Sequence, residues 1–101
     1  MLSEKLVRDR IPEIIRQKGG APQVRIARGT ELDKLIRLKI AEESQELLNS
    51  GADEEIADVL EALDALLAHR SIGRSEIEDT RLKKRQERGG FDKGFILKMS
   101  E

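Results

Sequence analysis

Two apolar stripes at helical spacing, one on each side of a Ser-Gly-Ala-Asp break, constrain this chain more than any other feature. Placed at about 100° per residue, Leu32, Leu35, Ile36, Ile40 and Leu47 share one stripe. After Ser50-Gly51-Ala52-Asp53, the residues Ile56, Val59, Leu60, Leu63 and Leu67 form a second. Helices joined by so short a connection fold back on one another. The apolar residues are mostly Leu, Ile and Ala; there are two Phe, no Trp and no Tyr. A 101-residue chain with 39% charged residues buries only a thin core by itself, which predicts oligomerisation.

The rest of the chain reads as a frame around that hairpin. Residues 3–18 carry a helical pattern, with Pro12 either in a first turn or breaking a longer helix. Gly19-Gly20-Ala21-Pro22 is a loop, and residues 23–27 alternate as a short strand or extended segment would. Gly29-Thr30 opens the first long helix, with Thr30 as N-cap and Asp33 in the capping-box position. It runs to Asn49, and Asp53 caps a helix over 54–69. Ser75 caps a fourth over 76–87, ended by Gly89-Gly90. Residues 91–99 are irregular, with room for a short strand at 95–99. The expectation is a single all-α domain over residues 1–101, four helices completed by assembly into a homodimer or homotetramer.

Composition excludes several classes. Without Cys there is no disulfide, iron–sulfur cluster or cysteine zinc site, and a single His leaves no basis for structural zinc. No apolar run is long enough to cross a membrane and no signal-peptide pattern follows Met1, so the chain reads as cytoplasmic. The net charge of −1 hides a strong partition. Residues 31–64 hold eleven acids and three bases, net −8, between ends of +4 and +3. That arrangement suits a cation in the middle and an anion at the rim, or an ordinary solvated surface. The basic cluster Arg81, Lys83, Lys84, Arg85 and Arg88 would suit nucleic acid, but the acidic centre and near-zero net charge argue against it.

The acidic centre has a specific pattern. Glu42-Glu43-Ser44-Gln45-Glu46 precedes the turn and Glu55-Ile56-Ala57-Asp58 follows it. Each supplies carboxylates at i, i+3, neighbours on a helix surface. Folded back, Glu43, Glu46, Glu55 and Asp58 would face one another and repel unless a cation lay between them. Hard oxygen ligands suit Mg2+, or Mn2+, rather than zinc or copper. Lys39, one turn before Glu43, suits a phosphate contact or an ion pair with Glu43. Lys84 and Arg88, one turn apart, suit a phosphate clamp with Lys93, or favourable cations at a helix C-terminus. His69 reads as a helix-end residue without a catalytic role.

EExxE followed by ExxD resembles the motif pair of the all-α nucleoside triphosphate pyrophosphohydrolases. That superfamily includes the MazG-like enzymes, the dimeric dUTPases and phosphoribosyl-ATP pyrophosphohydrolase. The run from Lys5 to Ile15 (KLVRDRIPEII) resembles the opening of a short MazG-like, phosphoribosyl-ATP pyrophosphohydrolase-like subgroup. Lys84 to Phe91 (KRQERGGF) resembles its closing motif. The resemblance implies that Glu43, Glu46, Glu55 and Asp58 bind magnesium, and that a nucleotide substrate is split between its α and β phosphates into monophosphate and pyrophosphate. Glu42 would orient the water or hold a second metal, or simply be solvated. Arg8 and Asp9 would anchor the first helix or line the site from a neighbouring subunit. With Phe91 and Phe95 the only aromatic residues, base selectivity would be loose, as in a house-cleaning enzyme. The alternative from the Leu-rich stripes is a non-catalytic helical oligomerisation or interaction module.

Overall fold

The computed structural model describes residues 4–100. Four helices follow one another: α1 (Ile11–Gln17), α2 (Gly29–Ser50), α3 (Asp53–His69) and α4 (Arg74–Arg88). No strand occurs among the described residues, so the chain is all-α. It divides into two compact units, the first ending at Ser71 and the second beginning at Ile72.

In the first unit, α1 is shorter than the helix expected over 3–18, of which Ser3 lies outside the described residues. Pro12 sits in the first turn. It has no N–H, and its ring would clash with an upstream helical carbonyl, so the helix cannot extend backward through it. Residues 23–27 form no strand, because no strand among the described residues lies beside them to complete a ladder. Arg25 is instead clamped between two acids. Its Nε donates to Glu4 Oε2 at 2.8 Å, and Nη1 and Nη2 donate to the Glu31 carboxylate at 2.9 and 2.8 Å.

α2 begins one residue before Thr30, which lies inside the first turn rather than capping it. Asp33 does not complete a capping box. It accepts from Arg37 Nε at 2.9 Å, and from Nε and Nη2 of Arg70 at 2.7 and 3.0 Å. The turn to α3 depends on Gly51, whose φ of 65° is left-handed and whose N–H donates to Leu47 O at 2.8 Å. Glycine reaches that conformation without the clash a Cβ would bring. Asp53 is in the first turn of α3 with Glu54 and Glu55, where acids favour the positive end of the helix dipole.

The contacts between α2 and α3 set an antiparallel register. His69 Nε2 donates to Gly29 O at 3.0 Å and Arg70 holds Asp33, while Glu43 meets Glu55 and Asp58 toward the turn. Partners thus descend one helix as they climb the other. Between these levels the buried apolar residues are Ile36 and Ala62, with Glu43 buried beside them. Ile56, Leu60 and Leu63 of α3 remain 49%, 54% and 40% exposed.

The second unit is α4 and the residues after it. Gly73, not Ser75, is the N-cap, and Glu76 Oε1 accepts its N–H at 3.4 Å. Residues 95–99 form no strand; no partner strand is present, and Phe95, Ile96 and Leu97 are exposed. No helix among the described residues is long and apolar enough to cross a membrane.

Candidate metal centre

The two acidic motifs meet on the inner side of the α2–α3 hairpin. Carboxylate oxygens of Glu43, Glu55 and Asp58 lie within 4.8 Å of one another. Glu43 projects from α2 about two turns nearer the α2–α3 connection than Ile36; Glu55 and Asp58 project from the first turns of α3, where the i, i+3 spacing stacks them. The antiparallel register then brings Glu43 against both carboxylates of α3, but leaves out Glu46, which the motif spacing put in the same site. Glu46 is beside this trio, close enough to interact electrostatically with Glu43 and Glu55, but outside the group that converges.

The electrostatics are those of acids short of cations. Glu46 is held above the usual carboxylate range, chiefly by the charge of Glu43 and then by burial. Burial is the main cause of the same upward shift at Glu55, followed by the charges of Glu46 and Asp58. Glu43 Oε2 and Glu55 Oε2 are buried without a hydrogen-bond partner among the described residues. A buried carboxylate oxygen with no donor is costly, because it has lost water and gained nothing in return. Two such oxygens in one group of converging carboxylates fit a hard divalent cation, whose binding would satisfy both.

Two cations of the chain border the group. Lys39 Nζ is 3.4 Å from both Glu42 Oε1 and Glu43 Oε1, so it forms the ion pair its spacing allows. Glu42 is outside the trio; it also lies 3.9 Å from Lys5 Nζ. Arg8 Nη2 donates to Asp58 Oδ1 at 2.6 Å from fifty residues away. This contact is not visible in either motif alone. Its sequence signals are the opening motif, whose resemblance implies that Arg8 lines the site or anchors the first helix, and the charge partition, which sets a basic first segment against an acidic centre.

An open groove of about 790 Å³ runs beside the carboxylates. Its lining combines the charged Arg8, Lys39, Glu43, Asp58 and Glu61 with the apolar Leu6, Leu32, Ile36, Ala62 and Ala65. The small residues of α3 leave the groove its width. His69 lines its far end, fixed to Gly29 as a helix-end residue.

Comparison with protein-family models, curated proteins and solved structures finds no match to this chain. The site therefore stands on its own residues.

Lys84, Arg88 and Lys93 belong to the second unit. Lys84 and Arg88 share the last turns of α4, and Lys93 Nζ lies 5.9 Å from the centre of the Phe95 ring. Phe91 and Phe95 are both exposed.

Proposed function

We propose that this chain is a Mg2+-dependent nucleotide pyrophosphohydrolase that converts a nucleoside triphosphate or related nucleotide, with water, to a monophosphate and pyrophosphate. The observation that carries the reading is the pair of orphaned buried oxygens on Glu43 and Glu55 within a converging carboxylate trio. The resemblance of EExxE, ExxD and the two flanking motifs to the all-α pyrophosphohydrolases supports it.

Glu43, Glu55 and Asp58 would hold the metal, with Glu46 adjacent to complete the set; Mn2+ suits the same oxygens. When bound, the cation supplies Lewis-acid charge that draws phosphate oxygens and acidifies water. The residues do the remainder. Lys39, beside Glu42 and Glu43, offers an ammonium to a phosphate oxygen in the groove. Glu42, which pairs with Lys39 beside the trio, would accept a hydrogen bond from the attacking water and orient it. Water adds at the α phosphorus, the bond from that phosphorus to the bridging oxygen breaks, and the bridging oxygen departs with pyrophosphate. The apolar lining, with Phe91 and Phe95 the only aromatic residues of the chain, would accept a nucleoside without selecting strongly among bases, which supports a house-cleaning role. Lys84, Arg88 and Lys93 of the second unit are proposed as phosphate ligands in their own right. The exposed row Ile56, Leu60 and Leu63 supports assembly into a homodimer or homotetramer.

The same row favours a second reading, a helical oligomerisation module without turnover. A pyrophosphate-release assay separates the two. Its panel is the standard NTPs and dNTPs, deaminated and oxidised analogues, and phosphoribosyl-ATP. Each is run with Mg2+, with Mn2+ and with chelator. The expected result is metal-dependent release from at least one nucleotide, suppressed by chelator. Silence across the panel from folded, metal-supplied protein refutes the enzyme and leaves the module.

A further inference from the structure

The contact between Arg8 and Asp58 is unusual for an ion pair at a carboxylate site. Asp58 is one of the three acids whose oxygens converge, yet its Oδ1 is already taken by a guanidinium at 2.6 Å. Arg8 comes from the stretch before α1, which has neither helix nor strand to lock it. Its side chain is 56% exposed and lines the same groove as Lys39, Glu43 and Asp58. Lys39, another cation lining the groove, pairs instead with Glu42 and Glu43 of its own helix, at 3.4 Å.

We propose that Arg8 is a phosphate-positioning residue held in reserve on Asp58, released to the polyphosphate of the substrate when a divalent cation takes that carboxylate. The proposal rests on the metal-dependent reading above and adds to it a ligand for the substrate's anionic end. Three physical facts carry it. A cation entering the trio competes with Arg8 for Asp58 and repels its guanidinium. The freed side chain lies on the groove wall, so a change of rotamer suffices to reach an anion there. A planar guanidinium with several donors matches phosphate oxygens better than an ammonium does. Arg8 thus neutralises the site before loading and binds the ligand after it.

The test is calorimetric titration of wild-type, Arg8→Gln and Arg8→Lys proteins, first with Mg2+ alone and then with inorganic tripolyphosphate as its magnesium complex. Removing the competitor is expected to make Mg2+ bind Arg8→Gln about threefold more tightly. The tripolyphosphate complex should bind that variant about tenfold more weakly, the loss of a charge-assisted hydrogen bond. Arg8→Lys should recover part of the tripolyphosphate affinity, since it keeps the charge and loses the fork. Tripolyphosphate binding that is unchanged in Arg8→Gln overturns the proposal while leaving the metal site intact. Mg2+ and tripolyphosphate weakened together in both variants overturns it too, because Arg8 would then be a strut. Wild-type protein that takes up no Mg2+ overturns the metal reading, and this proposal with it.

Discussion

The α2–α3 hairpin carries an acidic group near each end, and the two are built in opposite ways. At the open end, Asp33 is gripped by Arg37 and by two nitrogens of Arg70, which hold its carboxyl far below the usual range. Near the turn, Glu43, Glu55 and Asp58 converge with Lys39 and Arg8 at their margins, and Glu46 and Glu55 are held above that range. The first group is a finished ion pair that ties the helices together. The second has more negative charge than the chain's own bases neutralise and two buried oxygens without donors. Acidic residues on one hairpin thus differ according to whether the chain supplies the counter-charge itself.

The largest effect that tests this contrast is on turnover. Glu43→Gln removes a charge from the unfinished group with almost no change in volume, and should lower metal-dependent pyrophosphate release by at least about 100-fold. Asp58→Asn should do the same. Circular dichroism should report unchanged helix content in both. Wild-type turnover in either variant would remove that residue from the site.

Metal binding should show in stability as well. Mg2+ at about 100 times its Kd adds about 2.7 kcal/mol to a native state that alone binds it. For a unit of this size that raises the melting temperature by about 10 °C relative to protein in chelator. Glu43→Gln should erase the rise. An equal rise in the variant would place the cation elsewhere.

The sequence made the hairpin and the convergence of Glu43, Glu55 and Asp58 legible because both follow from local periodicity: 3.6 residues per turn and a two-residue turn around Gly51. The tie between Asp33 and Arg70 was not legible. Position 33 fits a capping box by local rules, and only the distant Arg70 shows otherwise. Pro12 was read as a choice between two placements, and the start of α1 settles it. Residues 23–27 and 95–99 alternate like strands, but alternation alone cannot provide the partner a strand needs. Arg8 stood out only through the resemblance of its motif, and its pairing with Asp58 was hidden for the same reason as that of Arg70: long-range ion pairs leave no periodic trace.

The finished group gives a smaller effect of opposite character. Asp33→Asn abolishes the charge that Arg37 and Arg70 share, at a partly exposed site where screening limits the gain. The melting temperature should fall by about 3 °C. Pyrophosphate release per folded molecule should be unchanged, since Asp33 lies outside the carboxylate trio. A loss of turnover comparable with that of Glu43→Gln would mean that the two ends of the hairpin are coupled.

The smallest effect, and the one that distinguishes the groups by sign, is on pH dependence. In chelator, Glu46 and Glu55 keep their protons to higher pH in the native chain than their usual 4.5 allows. Between that value and the raised native ones the native state binds more protons than the unfolded chain, so stability falls as pH climbs through this window. Asp33 runs the other way. Its native carboxyl ionises well below the usual 3.8, so its contribution is present above that value and is lost as pH falls toward the native one. The carboxyls of Glu4 and Glu31, lowered by Arg25, and of Glu78, lowered by Arg81, add to that acid-side loss. Thermal melts in chelator should therefore show stability rising as pH falls from 7 toward the usual 4.5 of a glutamate, and declining below the usual 3.8 of an aspartate. Saturating Mg2+ should remove the rise on acidification, because the cation takes the place of the protons, and leave the acid-side decline. Stability that falls without interruption from pH 7 downward in chelator would mean that Glu46 and Glu55 already have their counter-charges, and the two ends of the hairpin would then be the same kind of structure.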